Sequence, residues 1–161
     1  MHGPDSPDYN QPRFTPAIIS KLNSQTRNIL GSLWALLGRN GIKDETDRTL
    51  VIEAMAIVEN PSENLEDIMK HTTLISEVIA GYIMQGEEAP QEIDALNGYL
   101  LALQCVNRMK FIEDEIEKGN TNSPEIKQAM VLALSWARIL SVDYYTDQTF
   151  LTAVTELKKQ I

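Results

Sequence analysis

From Thr15 onward, apolar residues recur at spacings of three and four in one stretch after another, and no stretch alternates. That period fits the 3.6-residue turn of an α-helix and not the two-residue repeat of a half-buried strand, so the chain is held to an all-α fold. Ile18, Ile19, Leu22, Thr26, Ile29, Leu33, Leu36 and Leu37 form the first stripe, which Trp34 widens and which ends before Gly38. Thr15-Pro16 supplies an N-cap and a first-turn proline for it. A second helix is predicted from Asp44 or Thr46, with Leu50, Ile52, Met55, Ile57 and Val58 as its apolar set. Asn60-Pro61-Ser62-Glu63 reads as a capping box for the third. Leu65, Ile68, Met69, Thr72, Ile75, Ile79 and Ile83 line that helix up to Gly86.

The fourth segment, 90–119, carries two stripes. Ile93, Leu96, Leu100 and Leu103 lie on one side, and Leu101, Cys105, Met109, Ile112 and Ile116 lie nearly opposite. Asn97-Gly98 marks a point where the helix could break. The second stripe must meet either another internal helix or a two-fold copy of the chain, and the latter makes it a homodimer interface. Ser123-Pro124 opens a fifth helix whose "AMVLALSWARIL" is apolar almost all round, the pattern of a central, most buried element. Thr146 is the predicted cap of a sixth, with Phe150, Leu151, Val154 and Leu157 facing the core and Lys158 and Lys159 at its end. Six helices with short connections predict a single-domain antiparallel bundle over 15–161. Residues 1–14 hold three prolines and no apolar period, and read as a flexible arm.

Charge is distributed unevenly. Residues 1–43 carry five basic and two acidic groups, 44–119 carry five and seventeen, and 120–161 carry four of each. A chain of net charge −9 is repelled by phosphate backbones, and Lys21, Arg27, Arg39 and Lys43 do not share one helical stripe. Nucleic-acid binding is therefore disfavoured. No apolar run approaches the ~20 residues of a membrane span, and a lone Cys105 fits a reducing, cytoplasmic or other intracellular compartment.

Catalytic chemistry finds little to use. His2 lies in the arm, His71 stands one turn after Asp67, and Cys105 sits on an apolar helix face, so a Ser-His or Cys-His hydrolase has no support. No Cys/His cluster suits zinc and no Glu-x-x-His pair suits a di-iron site, so neither a metal nor a cofactor is expected. The glycines of "GRNGIK" lack the phosphate-loop spacing. Glu88/Glu92 and Glu113/Glu117, each pair one turn apart, leave a carboxylate-metal hydrolase of phosphorylated small molecules as the alternative function.

The stretch "FIEDEIEKGN" places Glu113, Asp114, Glu115 and Glu117 at the C-terminal end of a helix, where the macrodipole is already negative. Each exposed acid there costs about 0.3–1 kcal/mol, a local rule broken without compensation visible in the sequence. The expectation is a non-enzymatic interaction module (an adaptor, assembly factor or regulatory subunit) in which Glu113, Asp114 and Glu117 dock a protein partner with a basic surface.

Overall fold

The computed structural model describes residues 13–145 and 148–161. Residues 1–12 of the predicted arm and the predicted cap Thr146 lie outside the described residues. Among the described residues the fold is all-α, with six helices and no strand: α1 Thr15–Gly38, α2 Glu45–Glu59, α3 Leu65–Met84, α4 Gln91–Glu117, α5 Pro124–Asp143 and α6 Thr149–Lys158. The described helices include none long and apolar enough to cross a membrane. The chain groups into two compact units. One takes the segment up to Ser20 together with Cys105–Ile161, and the other is the continuous stretch Lys21–Gln104.

Within Lys21–Gln104, α2 packs against α3. Asp44 caps α2, its Oδ1 accepting the Asp47 N–H at 2.9 Å. The buried face of α2 is Val51, Ala54, Met55, Ile57 and Val58, whereas Ile52, a predicted core residue, is 39% exposed. The expected capping box at Asn60 is not the cap of α3. Asn64 is, accepting the Glu66 N–H, while the Ser62 hydroxyl is taken up by the Asn64 N–H. Ile68, Ile75 and Val78 bury the core side of α3, and the far end of its predicted stripe, Ile83, is exposed. Gly86 ends the helix as expected: at φ +76 it lets the Glu87 N–H reach the Tyr82 carbonyl at 2.9 Å. The fourth helix runs unbroken through Asn97-Gly98. Asn97 Nδ2 donates to the Thr72 carbonyl and the Ser76 hydroxyl of α3, so the polar residue suspected of breaking the helix is instead a link to its neighbour.

In the other unit, α5 packs against α6. Ser123 caps α5 through the Ile126 N–H, with Pro124 in its first turn. One face, including Ile126, Met130, Ala133, Trp136, Ala137 and Leu140, is buried. The expectation of a helix buried all round is corrected here: Val131, Ile139 and Val142 are 66%, 44% and 75% exposed. An apolar run without a polar side cannot show which face meets the core. Phe150, Val154 and Leu157 of α6 are buried as predicted.

Candidate interaction site at the acidic end of α4

The last turns of α4 terminate where Gly119, at φ +84, allows the Asn120 N–H to bond the Glu115 carbonyl at 2.9 Å. That hairpin of hydrogen bonds satisfies backbone carbonyls without any cation, so the acidic side chains remain free to look elsewhere. Three of them turn toward the start of α1. Glu113 Oε2 accepts the backbone N–H groups of Phe14 and Thr15, the latter at 3.3 Å. Thr15, predicted as a cap, is the first helical residue and is buried, and Glu113 supplies the acceptor for the helix start from a distant part of the chain. The negative end of one helix thus meets the positive end of another, which resolves the apparent misplacement of Glu113.

Arg13 completes the arrangement. Its Nη2 donates to Asp114 Oδ1 at 3.0 Å, its Nη1 donates to Glu117, and its Nε stands 3.6 Å from Glu113 Oε1. The fourth acid, Glu115, pairs with Lys118 at 3.6 Å. Arg13, Asp114 and Glu117 retain 41%, 46% and 54% exposure, so these ion pairs are screened by water and each contributes at most about 1 kcal/mol. The hydrogen bond it donates to Asp114, reinforced by the surrounding carboxylates against a smaller desolvation cost, raises the Arg13 guanidinium above its ordinary range.

Glu113 is different in kind. Its side chain is only 1% exposed, and Oε1 receives no hydrogen bond among the described residues. Burial pushes its carboxyl above the ordinary glutamate range, against the opposing pull of the Phe14 and Thr15 N–H groups and Arg13. A carboxyl raised on folding binds its proton more tightly in the native state, so its stabilising effect is present at low pH and is lost as pH rises through the folded pKa. Glu113→Gln keeps an acceptor for the two N–H groups and cannot ionise. Its melting temperature relative to wild type is expected to rise as pH increases through the Glu113 titration, measured by paired thermal melts across that range. A difference that stays constant with pH would contradict the burial account.

Of the three predicted partner contacts, Asp114 and Glu117 therefore stand at the surface with Arg13 across them, and Glu113 lies beneath as a helix cap. Of the residues expected at an interface between copies, Cys105, Met109 and Ile112 are fully buried, Ile116 is 6% exposed and Leu101 is 9% exposed. Arg13 was the missed participant; within the stretch 1–14 read as a flexible arm, it had no periodicity to reveal a partner a hundred residues away.

The Cys105 thiol donates to the Ala133 carbonyl at 3.5 Å, and burial pushes it up to about 12, well outside thiolate chemistry at neutral pH. His71 Nδ1 lies 2.8 Å from the Asp67 carbonyl of its own helix. Arg39 holds Glu92 at 2.6 Å and, through that hydrogen bond, keeps its carboxyl below the ordinary range. Among the described residues, no three His, Cys, Asp or Glu side chains are grouped to hold a metal ion. An open cleft of about 380 Å³ in the Lys21–Gln104 unit is lined by Lys43, Asp44, Asp47, Tyr82 and Glu87. Desolvation, followed by Asp47, Glu87 and Asp44, raises the Tyr82 phenol there. Comparison with protein-family models, curated proteins and solved structures gives no match to this chain.

Proposed function

We propose that the protein is a non-enzymatic helical interaction module that docks a basic partner through Asp114 and Glu117 at the end of α4, with Glu113 behind them. The observation that carries this reading is the guanidinium already seated there. Asp114 and Glu117 both bond one arginine side chain, which is the recognition a basic partner would require. Glu113 reinforces the negative potential while its hydrogen bonds hold the end of α4 beside the start of α1. The partner is a protein segment bearing arginine, whose planar fork matches two neighbouring carboxylates better than the point charge of lysine.

Such a surface governs the rate of encounter more than the final affinity. Asp114→Asn combined with Glu117→Gln is expected to slow association with an arginine-rich peptide roughly fivefold to tenfold at low ionic strength. The difference shrinks as salt shortens the screening length to ~8 Å. Stopped-flow fluorescence across a salt series measures both. Equal association rates for the wild type and the double variant at low salt would refute the proposal.

A further inference from the structure

We infer that Arg13 occupies in cis the seat that a partner's arginine would take, so that docking proceeds by exchange of one guanidinium for another. This rests on the docking reading above and adds its regulation. Arg13 already bonds Asp114 and Glu117, the two carboxylates exposed enough to meet a partner. The seat is nevertheless incompletely used. Glu113 Oε1, on a side chain 1% exposed, has no hydrogen-bond donor among the described residues, and the Nε of Arg13 stands 3.6 Å from it, an ion pair without a hydrogen bond. A buried carboxylate oxygen without a donor is a costly omission that a better-placed guanidinium would repair. Arg13 is restrained because the next residue, Phe14, is fastened by its backbone N–H to the other oxygen of the same carboxylate. A guanidinium on a separate chain has no such tether.

The consequence is a built-in threshold. A group tethered one residue from its site competes at high effective concentration, so a single weak cation does not displace it, whereas a segment with several arginines does. The site therefore discriminates by the density of guanidinium groups rather than by net charge alone.

A fluorescein-labelled peptide carrying four arginines, titrated at low ionic strength with anisotropy as the readout, tests this. Arg13→Gln is expected to bind the peptide roughly fivefold to tenfold more tightly than wild type. The charge-matched Lys127→Gln, altered on α5, should change affinity less than about twofold. Adding Asp114→Asn and Glu117→Gln to Arg13→Gln should remove the gain. If Arg13→Gln binds no more tightly than Lys127→Gln, the exchange is overturned, while the docking reading stands so long as Asp114→Asn/Glu117→Gln weakens the wild type. If that pair weakens neither background, the docking reading itself fails. Should Arg13→Gln not fold, Arg13→Lys serves in its place, since it keeps the charge and loses the fork. Arg13→Lys binding the peptide no more tightly than wild type would then overturn the exchange.

Discussion

Met109→Glu is expected to leave the protein without a cooperative unfolding transition. Met109 is fully buried on α4, in the unit that includes Cys105–Ile161. A carboxylate placed there loses its hydration and finds no designed partner, a cost of several kcal/mol even after the group shifts its pKa to accept a proton. Loss of the methionine's packing adds to it. Domains of this size hold roughly 5–15 kcal/mol in total, so the substitution removes most or all of the margin. Circular dichroism on heating and sedimentation at high concentration would register an expanded or aggregated chain. Met109→Leu, which keeps volume and polarity, should cost less than about 1.5 kcal/mol. A Met109→Glu protein that melts like wild type would return this stripe to the surface and restore its candidacy as an interface between copies.

Phe150→Ala is expected to detach α6. That helix has ten residues, below the ~12–15 at which an isolated helix becomes even marginal in water. Its N-cap, Gln148, sits at φ +64 and contributes no side-chain cap. Packing must therefore supply what capping does not, and Phe150, fully buried, with Val154 and Leu157 forms that contact. The Tyr145 ring lies 5.1 Å from it at a tilt of 56°, a favourable aromatic geometry that the substitution also removes. Truncation of a buried phenylalanine costs about 3–5 kcal/mol. Hydrogen exchange should then report α6 amides opening well before those of α5. Equal protection in the two helices after the substitution would show that α6 is held by something other than its apolar face.

The six helices were legible because apolar period and stop residues agree from Thr15 onward. Gly38, Gly86 and Gly119 end or follow three of the helices at the expected places, and both lateral stripes of α4 are recorded in its sequence. Caps were less legible. Asn60 and Asn64 are both good cap residues within one loop, and only the hydrogen bond from Glu66 distinguishes them. The orientation of α5 was not legible, since valine and isoleucine on its outer face carry no mark that separates them from the buried ones. The acidic cluster was visible as a violation of dipole rules. Its compensation was invisible, because Glu113 meets Phe14 and Thr15 through space and no local pattern encodes a contact of that length. The position of the acids at a helix end marked the cluster, and nothing local marked the Arg13 guanidinium that bonds Asp114 and Glu117.

The bond from Phe14 to Glu113 spans 99 residues, and this sets an order of events on the ribosome. At ~5–20 residues per second, roughly 5–20 seconds separate the emergence of the first partner from that of the second. The residues of Lys21–Gln104 are contiguous and all present before Glu113 has been made. The start of α1 is thus among the earliest described segments to be synthesised and must wait for its acceptor. During that interval Arg13 is unpaired by the carboxylates that later hold it, and any acidic surface encountered by the nascent chain competes for it before the chain's own does.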